Sequence, residues 1–254
     1  KFDPLTVEPE WMLLSYHKTA CASSSRSGFD PQNAFDESIK SAWSATSENS
    51  GEWLSVDLGK EYKVEAVQVN FADCFTKKKR APMREYGGTF TQERYIEEEL
   101  VRYEYRIEYS SNGTDWAPYE ETQNTVFPHK LIPRRARARY IRIVFASAPY
   151  GQNFSISGLR VFGLGGGEKP SAVSGENAER TSATEARLSW NSQNDAMGYC
   201  IRLGIAPDKL YNSILLYGQN DYTVTFLNKE TEKYYFAVDS FNESGITKGS
   251  INEF

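Results

Sequence analysis

The octapeptide YEYRIEYS, residues 103–110, constrains the fold more than any other stretch. Tyr103, Tyr105, Ile107 and Tyr109 alternate with Glu104, Arg106 and Glu108. A period of two places every apolar side chain on one side of an extended chain, which predicts a strand with one buried face. Asn112-Gly113 follows and predicts a tight hairpin turn, because such turns need residues that accept φ > 0. The pattern recurs. Leu54, Val56 and Leu58 share a face in WLSVDLG, as do Val67, Val69 and Phe71 in AVQVNF. RYIRIVF (139–145) and GLRVFG (158–163) read as further strands. No long 3.6-residue periodicity competes; only TQERYIEEELVRYEYR (91–106) admits a short helical turn before its strand. An all-β chain is expected.

At 254 residues the chain suits one large β domain or two ordinary ones. The run GLGGGEKPS (163–171) has three consecutive glycines before Lys-Pro-Ser, cannot hold a regular element, and reads as a linker. Strand signals resume beyond it in ARLSWN (186–191), GYCIRLG (198–204), YTVTFL (222–227) and KYYFAVDSF (233–241), spaced as in a small sandwich. One segment, 73–102, does not fit a compact domain. It carries TKKKR (76–80), REYGG (84–88) and IEEEL (96–100), and loops this long are usually functional or mobile.

Composition narrows the function. The net charge of −5 argues against a general attraction to nucleic acid or anionic membranes. No run of about 18 apolar residues is present to span a bilayer. Cys21, Cys74 and Cys200 are odd in number and widely spaced, so neither a disulfide framework nor a zinc site is expected. His17 and His129 are the only imidazoles, and no HExxH, GxSxG or phosphate-loop motif occurs. A Cys21–His17 nucleophile is conceivable from proximity; the preferred reading is a leader histidine and a buried strand cysteine. Carboxylates are plentiful enough that composition alone leaves a glycosidase pair open. The start at Lys1 without a signal peptide reads as a processed or truncated piece of a longer protein.

Six stretches occur in a recognisable order: TACASSS (19–25), NAFDESIKSAW (33–43), GEWLSVDLG (51–59), YSSNGTDW (109–116), ARYIRI (138–143) and ISGLRVFG (156–163). On these, residues 15–163 resemble the discoidin, or coagulation factor 5/8 type C, family, which includes the family 32 carbohydrate-binding modules. Residues 170–254 resemble a fibronectin type III domain, on Trp190 and on Tyr234 as a corner tyrosine, with Tyr235 as the alternative. The pair, after a leader over 1–14 and across a Gly-rich linker at 164–169, resembles the C-terminal region of family 43 glycoside hydrolases of gut Bacteroidetes. The resemblance implies a jelly-roll β-sandwich followed by a smaller β-sandwich. It further implies a non-catalytic, extracytoplasmic, bacterial accessory region that binds poly- or oligosaccharide beside a catalytic domain N-terminal to this chain. Two alternatives stand beside it: structural domains that pack on that catalytic domain, and a protein or lipid adhesion module.

The resemblance also implies sites. Sugar-binding relatives carry a calcium held by an acidic loop and a glutamate near the last strand. Asp36 and Ser41 match that loop, but Glu37 and Ser38 replace the usual Gly and Asn, and Gly158 stands where the glutamate belongs. At most a weak calcium site is expected, and Asp36 can instead accept backbone N–H groups in a turn. Trp43, Trp53 and Trp116 are read as core rather than as sugar platforms. The ligand candidates are loop residues: Arg26 and Phe29, Arg84 and Tyr86, and Tyr150, Asn153 and Phe154. Aromatic faces for stacking with Arg and Asn for hydroxyls suit a sugar. The runs KKKR and RRARAR (134–139) could meet uronic acids or acidic lipid, or be solvated charge balanced by IEEEL.

Overall fold

In the computed structural model, residues 10–72, 74–75, 85–86, 89–90, 102–125 and 129–254 are described. The chain forms two compact units that divide after Gly163. The described residues are almost wholly β-structure, with two short 3₁₀ turns at Pro31–Ala34 and Pro149–Gly151.

The first unit contains β1 (Met12–Leu13), β2 (Thr19–Ala22), β3 (Trp43–Ser44), β4 (Trp53–Phe71), β5 (Glu85–Tyr86), β6 (Thr89–Phe90), β7 (Tyr103–Ser110), β8 (Ala117–Thr125), β9 (His129–Ser147) and β10 (Ser155–Leu164). The main sheet runs β1-β10-β4-β9-β7-β8, with β2 on β4 and β3 on β10, while β5 and β6 form a separate ribbon. It is a jelly-roll β-sandwich. β4 and β9 span 19 residues each, and two irregularities in their pairing make the sandwich possible, at Asp57/Tyr62 and at Val64/Ala66. An extra residue in one strand bends the ladder and switches which side chains face inward. The core positions of β4 accordingly run Leu54, Val56, Leu58, Tyr62 and Val64, then shift to Val67, Val69 and Phe71. Both halves line a single core with Ile107, Ile132, Ile141, Ile143 and Phe145.

The alternation in β7 is realised, with Tyr103, Tyr105 and Ile107 buried. The turn after it differs from the tight one predicted. Residues 111–116 separate β7 from β8, and of the Asn-Gly pair only Gly113 has positive φ (+81°). Asn112 acts through its side chain instead: Oδ1 accepts the N–H groups of Thr114 (3.0 Å) and Asp115 (2.9 Å). The residue caps a longer loop rather than occupying a two-residue turn. The predicted helical turn in 91–106 lies mostly outside the described residues; its final part is β7.

The second unit holds β11 (Asn177–Arg180), β12 (Ala186–Ser189), β13 (Gly198–Gly204), β14 (Asn212–Tyr217), β15 (Asp221–Val224), β16 (Tyr235–Asn242), β17 (Gly245–Thr247) and β18 (Asn252–Glu253). A β11-β12-β15 sheet faces a β14-β13-β16-β17 sheet to which β18 adds on β16. Leu188, Trp190 and Val224 meet Tyr199, Ile201, Phe236 and Val238 in one core. The Tyr234 hydroxyl, not that of Tyr235, ties back to the chain by accepting the Asn228 N–H at 2.7 Å. Asp239 is buried on the outer side of β16, where Arg202 holds it in two bonds (2.8 and 2.9 Å) and Lys248 in a third (2.8 Å). Burial pushes its carboxyl up, but these partners and the Gly249 N–H hold it below the usual range.

The glycine run read as a linker is built into this second unit. Gly165 N–H donates to Glu243 O (2.7 Å) and Gly167 N–H to Ser244 Oγ (3.0 Å). A Cβ on Gly165 would stand 2.7 Å from Glu243 O, so this glycine serves close approach rather than flexibility.

Candidate functional site

After β2 the chain turns through Ser23, Ser24, Ser25 and Arg26, and one carboxylate organises this turn. Glu52, immediately before β4, accepts the hydroxyls of Ser23, Ser24 (2.9 Å) and Ser47 (2.7 Å). Partial burial pushes the Glu52 carboxyl up, yet the three hydroxyl donors outweigh it and hold the group below its usual range. Ser24 Oγ in turn accepts the Thr46 N–H at 3.0 Å. From below, the fully buried Trp43 donates its indole N–H to Ser24 O (3.0 Å) and Ser25 Oγ (3.1 Å). Backbone bonds complete the frame: Arg26 N–H to Ser44 O (2.9 Å) and Phe29 N–H to Arg26 O (2.9 Å), with Gly28 turning the chain at φ +81°.

An open depression of about 480 Å³ lies on this frame, lined by Ser25, Arg26, Ser27, Phe29, Thr46 and Phe75. The Arg26 guanidinium sits 3.9 Å from the centre of the Phe75 ring, a cation–π distance. Phe29 meets the same ring edge-on, with centroids 5.0 Å apart at 70°. Phe75 is 39 % exposed, and its backbone sits at φ +57°, uncommon for a bulky residue and sustained only where its surroundings hold it. An exposed aromatic face, a guanidinium and three hydroxyl-bearing residues thus share one concavity. Such a set can stack on an apolar ring face and hydrogen-bond polar substituents.

Two of the seven ligand candidates, Arg26 and Phe29, therefore come together. Asn153 and Phe154 do not belong to a site. Asn153 is 5 % exposed and donates to Ala45 O at 2.7 Å; Phe154 is 1 % exposed and stacks on Phe145 at 4.4 Å. Their loop turns inward as it enters β10, and Ala45 N–H donating to Phe154 O (2.9 Å) fixes that course. Arg84 lies outside the described residues, as do KKKR and IEEEL. For Tyr86 only the β5 backbone is described, and for Tyr150 only the 3₁₀ backbone. Phe75 and Thr46 were missed by the sequence reading. The available signal for Phe75 was its place at the start of the unexplained segment 73–102.

The acidic loop does not fit calcium. Asp36 Oδ1 accepts the Ser38 N–H (2.8 Å), the backbone-turn role foreseen for it, and Oδ2 accepts the Ser41 hydroxyl (2.6 Å). Glu37 is engaged by Arg160 through two bonds, one of 2.9 Å. Gly158 supplies no carboxylate where the resemblance implies a glutamate, and the Asn70 side-chain amide lies 2.9 Å from where its Cβ would be. No cluster of three metal-ligating side chains occurs among the described residues. A cation that wants six to eight oxygens finds both oxygens of Asp36 already used inside the chain.

Other expectations change as well. Cys21 is exposed on β2, not buried. Trp43 is core, whereas Trp53 is half-buried and Trp116 is half-buried with the Arg142 guanidinium 4.0 Å over its ring. Three of the four RRARAR arginines are paired with carboxylates of β4, while Arg134 donates to the Tyr119 carbonyl. Arg135 pairs with Glu65 (2.8 Å), Arg137 with Glu61 (3.6 Å) and Arg139 with Asp57 (2.8 Å), across the β4–β9 ladder.

The geometry places an open, loop-lined depression on an antiparallel jelly-roll sandwich. Residues 19–86, well under half of the chain, match the sequence model of the F5/8 type C domain. Among curated proteins none matches the chain. Among solved structures, chitosan-binding module 1 from the chitosanase/glucanase of Paenibacillus sp. IK-5 is similar at 22 % identity and TM-score 0.46, over 60 % of this chain and 99 % of that one. CBM32 of AlyQ, in complex with 4,5-unsaturated mannuronic acid, aligns at 19 % identity and TM-score 0.43, over 59 % and 98 %. CpGH89CBM32-4 of Clostridium perfringens, in complex with glcNAc-alpha-1,4-galactose, aligns at 14 % and 0.43, over 63 % and 99 %.

Proposed function

We propose that the first unit is a carbohydrate-binding module whose ligand sits in the Arg26–Phe29–Phe75 depression. The observation that carries this reading is the exposed Phe75 ring beside Arg26 in a depression also lined by Ser25, Ser27 and Thr46. The F5/8 type C match over 19–86 and the sugar complexes of similar modules support it. Affinity is modest, with Kd of roughly 10 μM to 1 mM, because sugar hydroxyls gain little on leaving water. A module this weak acts by raising the effective concentration of an attached activity. In this reading the second unit is a fibronectin type III-like spacer, supported by the Trp190 core and the Tyr234 tie-back. The parent protein is an extracytoplasmic bacterial glycoside hydrolase of xylosidase or arabinosidase type. Glycan arrays and affinity gels of neutral and acidic polysaccharides test the binding. Retardation that disappears in Phe75→Ala is expected; folded wild-type protein that binds no glycan would favour a purely structural role against the parent enzyme.

One observation favours a second reading. Ile39, beside Lys40 in the acidic loop, is 95 % exposed, a single apolar spike of the kind an adhesion module presents. Co-sedimentation with anionic vesicles that Ile39→Ser abolishes would support adhesion, and absence of co-sedimentation would discard it.

A further inference from the structure

The arginines of the first unit differ in one respect that bears on the ligand. Arg106 and Arg142 share Glu108, Arg160 holds Glu37, and Arg135, Arg137 and Arg139 pair with Glu65, Glu61 and Asp57. Arg134 donates to the Tyr119 carbonyl instead, and Arg26, like Arg102, has no such partner among the described residues. No carboxylate among the described residues pairs with it, although Glu52 anchors the same turn, because Glu52 is already bound by three serine hydroxyls. Arg26 is exposed, its backbone is fixed by the Ser44 carbonyl, and its guanidinium rests on Phe75. A positioned cation without a counter-ion among the described residues, opening onto a concavity, is arranged to receive an anion from outside.

We infer that the depression selects an acidic saccharide residue, a uronic acid whose carboxylate is held by Arg26 while its ring packs against Phe75. This rests on the carbohydrate-binding reading and adds the ligand class to it. The guanidinium fork matches a planar carboxylate in two parallel bonds, which a neutral hydroxymethyl group in the same place cannot reproduce. Ser25, Ser27 and Thr46, which line the same depression, then lie beside the remaining ring substituents.

The test is isothermal titration calorimetry of the full chain with oligogalacturonate, oligoglucuronate and oligomannuronate, each beside its carboxyl-reduced neutral counterpart. At least one uronide should bind about tenfold or more tightly than its reduced form, as expected for a charge-assisted bond. That difference should shrink as salt is raised. Arg26→Gln should erase the difference between the two forms, Arg26→Lys should restore part of it, and Phe75→Ala should weaken both forms. Thermal melts confirm that each variant is folded. Equal or tighter binding of the neutral forms would overturn the inference and leave glycan binding intact. A preference that survives Arg26→Gln, or tighter binding of a sulfated neutral oligosaccharide, would overturn it too. Absence of binding to either set would overturn the carbohydrate reading together with it.

Discussion

Two loops of the first unit carry similar side chains and meet opposite fates. The turn at 25–29 holds Arg26 and Phe29 open beside Phe75, whereas the turn at 148–154 buries Asn153 and Phe154. Each offers an aromatic and a polar group that could serve a sugar. The difference is the destination of the backbone. Residues 152–155 lead straight into β10 and are stitched to Ala45 from both directions, so their side chains complete the core. Residues 23–29 are stitched through hydroxyls and backbone to Glu52, Trp43 and Ser44, which leaves the longer side chains outside. Loop composition therefore identifies candidates, and the anchoring of the main chain decides between them.

This contrast can be broken by substitution. Phe154→Ala should have the largest effect, a loss of about 3–5 kcal/mol of stability by denaturant titration, because a buried ring leaves a cavity against Phe145. Asn153→Ala should cost about 1–3 kcal/mol, since the Ala45 carbonyl loses its buried donor. Phe75→Ala should reverse the pattern: less than about 1 kcal/mol in the same titration, with glycan affinity down roughly tenfold. A Phe75→Ala variant that unfolds, or a Phe154→Ala variant as stable as wild type, would erase the distinction between the loops.

Glu52 supplies a smaller and pH-dependent test. Its carboxyl lies below the ordinary 4.5, so the staple is fully present above that value and is lost as pH falls through the lower folded value. Glycan affinity measured downward from pH 6 should hold until pH drops below about 4.5 and then decline. Glu52→Gln should show a weaker site at every pH and no such decline. The smallest effect belongs to the β9 ladder: Arg137→Gln, at an exposed 3.6 Å pair, should leave melting temperature and glycan binding almost unchanged.

Much of the fold was legible. The strands around Leu54–Leu58, Val67–Phe71, Tyr103–Tyr109 and Ile141–Phe145 follow from alternation, because a half-buried strand writes its two faces directly into the chain. The bulge that carries β4 from Val64 to Val67 left a trace in the same pattern as a one-residue change of parity. The site was less legible. Arg26 and Phe29 were found by composition, but Phe75 lies far along the chain from both, and nothing local announces that meeting. For the RRARAR run, anion contact and solvated charge stayed open in the sequence because the partners Asp57, Glu61 and Glu65 lie on a different strand.

The sequence by itself determined the strand periodicity, the division into two β units and the absence of familiar catalytic motifs, because these depend on residue spacing within short windows. Only the tertiary structure decided which charges are spent and which remain. Arg139 and Arg26 look equivalent along the chain, yet strand pairing sets Arg139 against Asp57, while the turn after β2 leaves Arg26 on Phe75. Electrostatic availability depends on distances across the fold, and those are fixed by register and loop anchoring rather than by local composition.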